Sequence, residues 1–209
     1  MIVRRNFPRI YPPNNGVFLT DEINSELRHS AAPTKQQNMK TCQPATADLA
    51  NPPTIKLDPP QIVQTTPKAT AIIHLTIPRE EMPNVMGPAI NELMTTIGAQ
   101  GATPAGPGFT HHLRIEPGIF DFEVSVPVSA PIKASGRVKP SEWPAMKVAR
   151  TVYTGPYEGL PLAWGEFMEW VESNGHEPAE DVWEAYLDGP HSSPDPSTWR
   201  TELSRPLTN

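Results

Sequence analysis

The chain has 209 residues, enough for one or two domains, with 37% hydrophobic and 19% charged residues, a net charge of −6 and a single cysteine. One thiol, Cys42, excludes a disulfide framework and a thiolate metal site. No apolar run reaches the length of a signal peptide or a membrane span, which argues against a membrane protein and makes a cytoplasmic location the expectation.

Taken from the N-terminus, residues 1–60 hold nine of the 27 prolines, with Pro-Pro pairs beginning at Pro12, Pro52 and Pro59. The stretch lacks a sustained apolar period and cannot bury enough surface to offset its ordering entropy, so a disordered tail is expected over residues 1–58. Arg4, Arg5 and Arg9 leave two readings of its start, a weak organelle address or a start-site error with Met39 as the alternative first residue. Seven of the 17 Lys/Arg and five of the 23 Asp/Glu lie in 1–58, leaving ten against eighteen, a balance of −8, for residues 59–209. An acidic domain repels phosphate backbones, so no direct nucleic-acid binding is expected.

Within 59–209, residues 62–66 and 69–77 read as β-branched strands interrupted at Pro67. A helix follows over 84–99, regular from Gly87 with Pro88 in its first turn, and Gly101 stands where a left-handed end is wanted. Strands over 109–115 and 119–126 meet at the turn signal Glu116-Pro117-Gly118. Strands over 132–138 and 146–153 come next, then a second helix opened by Pro161 and closed by Asn174-Gly175, then strands over 181–187 and 199–203.

The two helices repeat each other at a constant offset. Ile90, Leu93, Met94, Ile97 and Gly101 are answered 74 residues later by Trp164, Phe167, Met168, Val171 and Gly175, and Phe109 by Trp183. Past a loop of different length, Glu-Val-Ser-Val-Pro-Val at 123–128 is matched by Glu-Leu-Ser-Arg-Pro-Leu at 202–207. A fixed period dictates architecture. It predicts an α+β domain built from a duplicated strand-helix-strand-strand unit, repeat one about 60–128 and repeat two about 132–207, forming an antiparallel sheet with two packed helices and a cleft between the repeats.

Side chains alternate along the strand 181–187, so Trp183, Ala185 and Leu187 share one face and Val182, Glu184 and Tyr186 the other. Matching the first set to Phe109, His111 and Leu113 suggests that it covers the helices. Glu184 then lies on the opposite face, as a solvated glutamate or as the floor of a concave site. Enclosed by aromatics, its carboxyl would have a raised pKa or would hold a cation. The equivalent position in the first repeat is the neutral Thr110, which leaves one carboxylate near the pseudo-twofold. Trp164 belongs to the helix stripe, whereas Trp170 lies off it and could close the edge of a pocket.

The segments Thr-Val-Tyr-Thr-Gly-Pro-Tyr at 151–157, Asn-Gly-His-Glu-Pro at 174–178 and Trp-Glu-Ala-Tyr-Leu-Asp-Gly-Pro at 183–190 resemble the GyrI-like, or AraC-type effector-binding, family across roughly 60–207. The resemblance implies a duplicated unit enclosing a cleft for drug-like, often cationic or aromatic molecules, with Glu184 as the acid at its bottom and Tyr153 as a pocket tyrosine. It also implies two alternatives: hydrolysis of strained cyclopropane-bearing genotoxins by Glu184 and a tyrosine such as Tyr153, and modulation of a topoisomerase by protein contact. Family regulators carry a helix-turn-helix, yet residues 1–60 lack paired amphipathic helices, so a free-standing domain is expected.

Other constellations are weak. Adjacent His111 and His112 point to opposite faces of a strand and cannot chelate one metal. His74, His176 and His191 lack metal-ligand spacing, Ser192 and Ser193 lie in a Pro-rich loop, and no glycine-rich phosphate loop is present. Neither a metal nor a cofactor is therefore expected. The sequence reading is a small-molecule-binding domain in which Glu184 supplies charge and Tyr153, Tyr186, Trp164 and Trp170 supply walls.

Overall fold

The computed structural model describes residues 55–116 and 118–209. The expected disordered tail falls, up to residue 54, outside the described residues. Strands β1 (Lys56–Leu57), β2 (Gln61–Gln64) and β3 (Lys68–Pro78) lead to helix α1 (Met82–Ala99), then to β4 (Phe109–Glu116), β5 (Ile119–Pro127), β6 (Lys139–Trp143) and β7 (Lys147–Thr154). Helix α2 (Leu160–Ser173), β8 (Val182–Asp188) and β9 (Arg200–Pro206) complete the chain. The strands form one antiparallel sheet in the order β1-β7-β9-β8-β4-β5-β3-β6, with β2 also on β7. The α+β class and antiparallel sheet with two helices agree with the sequence reading.

Three boundaries differ from it. Lys56 and Leu57 pair with Thr154 and Tyr153, and Thr151 Oγ1 donates to the Asp58 carbonyl at 2.6 Å, so ordered structure begins before residue 59. Helix α1 starts at Met82 with Pro83 in its first turn and carries Pro88 inside; the bond lost there would have ended on Asn84, an exposed residue. The strand expected over 132–138 is instead a loop, with Gly136 at φ 58°, and the strand follows at β6. Ile132 and Val138 are nevertheless buried under α1, which is why they read as strand residues.

Both helices end alike. The amides of Ala102 and His176 donate back to the carbonyls of Ile97 and Val171, at 3.2 and 3.1 Å, while Gly101 and Gly175 both sit at φ 73°. Glycine is the residue that takes this left-handed position without strain.

Cross-strand pairing shows which face the helices cover. Leu93 and Ile97 of α1 pack with Ile73, Phe122 and Val124, while Trp164, Phe167 and Val171 of α2 pack with Ala149, Val182 and Leu203. Val124 pairs with Thr110, Thr110 with Glu184 and Glu184 with Leu203, so all four side chains share the helix-covered face. The other face holds Phe109, Trp143, Trp183 and Ala185. Trp143 and Trp183 lie four strand steps apart, about 19 Å on a flat sheet, yet their ring centroids are 4.5 Å apart. The sheet therefore curls around this aromatic cluster. Thr65 closes the curl, accepting the Met146 amide at 2.8 Å and donating to the Pro144 carbonyl at 2.8 Å.

Candidate functional site

The face assignment read from the sequence is reversed. Trp183 and Ala185 lie away from the helices, and Glu184 lies beneath them at 2% exposure, so it is neither a solvated glutamate nor an open floor. The reason is that the far face is itself enclosed by the curl and takes the large aromatics, which periodicity alone cannot tell from a helix-covered face.

Glu184 sits where the cores under α1 and α2 meet, surrounded by donors. Trp164 Nε1 donates to its Oε1 at 2.7 Å and the Tyr186 hydroxyl to its Oε2 at 3.4 Å, while His112 Nε2 lies 3.7 Å from Oε2. Thr110 Oγ1 joins the same group, 3.0 Å from the Tyr186 hydroxyl and 3.3 Å from His112 Nε2. Tyr186 and Thr110 thus link the carboxylate to His112 in a hydrogen-bonded chain, His112 Nε2 stands beside the carboxylate without bonding it, and Trp164 of α2 caps the other oxygen.

Burial by itself would raise the Glu184 carboxyl. The His112 imidazole 3.7 Å away, then the hydrogen bonds from Trp164 and Tyr186, outweigh it and hold its pKa below the ordinary glutamate value. The raised pKa anticipated for an aromatic-enclosed Glu184 is therefore corrected: the donors make it an ionised carboxylate at neutral pH.

One side of the group is aromatic. The Tyr157 ring meets Tyr186 edge-on at 5.8 Å and Trp199 at 4.8 Å. Burial pushes the Tyr157 phenol up, and the Glu184 charge adds to the effect. Tyr157, Tyr186 and Trp199 are each half-buried.

The remaining predicted residues are placed elsewhere. Tyr153 donates to the Pro156 carbonyl at 3.0 Å, and a side chain on either Gly155 or Gly159 would overlap its phenol oxygen. It is a fully packed bolt for the 154–159 turn, and burial followed by the Glu158 charge raises its pKa. Trp170 lies against the α2 core with its ring 6.0 Å from His176. It is six residues past Trp164, about 9 Å along the helix axis. The structure thus groups Glu184, Tyr186 and Trp164 but not Tyr153 or Trp170.

Sequence reasoning missed Tyr157, His112 and Thr110 as participants. Two signals were present: Tyr157 closes the Tyr-x-Gly-Pro-Tyr segment, and alternation puts His112 on the same face as Thr110.

A family model described as the GyrI-like small molecule binding domain matches residues 58–208. The chain belongs to this family. A comparison with curated proteins finds no match. Among solved structures, the GyrI-like domain is similar to the C-terminal domain of EcmrR, at 22% identity and TM-score 0.65, over 74% of this chain and 98% of that one. It is similar to EcmrR in a complex with DNA at 22% identity and TM-score 0.64 over 72% of this chain, and there it spans only 57% of the relative's length. SAV2435, in complex with tetraphenylphosphonium, is similar at 10% identity and TM-score 0.54, over 72% of this chain and 94% of that one. At these identities the likeness is one of fold. No helix among the described residues is long and apolar enough to cross a membrane.

Proposed function

We propose that this GyrI-like domain captures cationic aromatic, drug-like molecules, with Glu184 as the charge that selects them and Trp164, Tyr157 and Tyr186 as the aromatic surroundings. The observation that carries the reading is a fully buried carboxylate kept ionised between two helix cores. An ionised buried acid costs several kcal/mol of desolvation, which a structural role at this position does not require. The adjoining π faces add cation-π attraction of about 0.5–2 kcal/mol for a desolvated cation. The fold's likeness to SAV2435, which binds tetraphenylphosphonium, supports the same ligand class.

Turnover is the second reading, favoured by the Tyr186 hydroxyl 3.4 Å from Glu184 Oε2, a glutamate-tyrosine pair of the kind expected for cyclopropane hydrolysis. An ionised Glu184 would direct water or accept a proton there rather than give one. One panel separates the two. Cationic, neutral and cyclopropane-bearing aromatics are scored by thermal shift for binding and by mass analysis for new products. Stabilisation by tetraphenylphosphonium without new masses supports capture; new masses from the cyclopropanes support hydrolysis; no shift by any cation overturns the capture reading.

A further inference from the structure

The buried imidazole beside Glu184 suggests how such a site is regulated, an inference that rests on the cation-capture reading. His112 is 2% exposed, its Nε2 faces Glu184 Oε2 at 3.7 Å and Thr110 Oγ1 at 3.3 Å, and its Nδ1 is buried without a hydrogen-bond partner among the described residues. The ring is fixed. It stacks near-parallel on Phe122, with centroids 5.5 Å apart at 22°, and meets Phe120 edge-on at 5.5 Å and 71°. A charge on it therefore cannot swing away when another cation arrives.

We propose that His112 is the resident counter-cation of Glu184 and that a cationic ligand displaces its charge, the imidazolium releasing one proton to solvent for each ligand bound. Two positive charges within a few ångströms of one carboxylate repel in a site shielded from water, and the one that can leave as a proton does so. By linkage the effect is reciprocal: protonation of His112 weakens cation binding by the factor by which the cation weakens protonation.

Thr110 faces the imidazole from its own strand, Glu184 from β8, with Tyr186 beyond Thr110, and Phe120 and Phe122 from β5. The guanidinium of Arg79 lies 4.8 Å from the Phe120 ring, and Tyr157 senses the Glu184 charge from the turn before α2. Glu184 stays ionised through the histidine range, since its carboxyl lies below the ordinary value.

Tetraphenylphosphonium tests this, because its permanent charge has no proton of its own. On the full chain, its affinity is expected to rise about tenfold between about pH 5.5 and about pH 8.5, the span across which a histidine changes charge. Triphenylphosphine oxide, a neutral analogue, should show no such rise. Calorimetry in two buffers of different ionisation enthalpy should report proton release on binding the cation. Ring 15N resonances of His112, assigned by their loss in His112→Asn, should pass from the charged to the neutral pattern as the ligand is added near pH 6. This last readout separates His112 from any titration of Glu184 and needs no binding by the variant. Binding with a flat pH profile, or a His112 ring whose charge does not change, overturns the inference and leaves cation capture standing. No binding of tetraphenylphosphonium at any pH overturns the capture reading itself.

Discussion

Thr110 and Glu184, the two positions equated by the offset of 74 residues, are direct partners across β4 and β8. The register irregularities fall alike, between His112 and Arg114 and between Tyr186 and Asp188. A carboxylate and a hydroxyl thus stand opposite each other on the helix-covered face. Replacing Glu184 by Gln keeps the Trp164 hydrogen bond and removes the charge, so folding is expected to survive. Affinity for tetraphenylphosphonium should fall by about 1.5–3 kcal/mol, the worth of a hydrogen bond to a charged group. Titration calorimetry of the variant checks this, and parental affinity would remove Glu184 from the site.

Tyr153 and Gly159 form a second pair that can be tested. A methyl at Gly159 has nowhere to go against the phenol oxygen, so Gly159→Ala should destabilise by about 1–3 kcal/mol, the usual cost of overpacking. Tyr153→Phe removes the oxygen that obstructs it. The double variant should then be less destabilised than the sum of the singles, a coupling readable in urea denaturation. Strict additivity would mean that the turn relaxes some other way.

His111, on the face away from the helices, titrates in the opposite sense from Glu184. Burial would lower its pKa, but hydrogen bonds to Asp181 and Glu123 outweigh that and raise it. A raised folded pKa gives stability that is fully present below the unfolded value, about 6.5, and lost as pH rises through the folded value. Glu184, with a lowered pKa, gives stability present above about pH 4.3 and lost as pH falls through its folded value. The melting temperature should therefore decline above neutrality, and His111→Gln should flatten that decline. Melting scans of both proteins between about pH 6 and about pH 9 bracket the window above that reference pKa.

The start of the folded part gives a length series. A chain beginning at Ile55 should melt with the full-length protein, because residues 1–54 carry no core pattern. One beginning at Gln61 loses the Lys56 and Leu57 pairing to β7 and both Asp58 backbone contacts, to the Val152 carbonyl and the Thr151 hydroxyl. Its melting temperature should drop by several degrees, since about 1 kcal/mol shifts a domain of this size by a few degrees. Equal melting of all three would show that β1 adds nothing.

The sequence by itself determined both helices and most of the strands in their order, but not β1, and it placed at 132–138 the strand that lies at β6. Gly101 and Gly175 mark helix ends because only glycine takes their φ cheaply; the apolar stripe is buried on α2 at Trp164, Phe167 and Val171, whereas on α1 Leu93 and Ile97 pack and Ile90 and Met94 are exposed. It also singled out Glu184, Tyr186 and Trp164, through strand alternation and the offset that opposes Glu184 to Thr110. Which face of the sheet the helices cover was decided only in three dimensions. Both faces carry large apolar residues, since the curl buries Phe109, Trp143 and Trp183 on one side as thoroughly as α2 buries Val182 and Leu203 on the other. A period of two says that neighbours point apart, not where either points. The charge state of Glu184 was likewise beyond the sequence, because burial and hydrogen bonding push a carboxyl in opposite directions and only the positions of Trp164, His112 and Tyr186 decide between them.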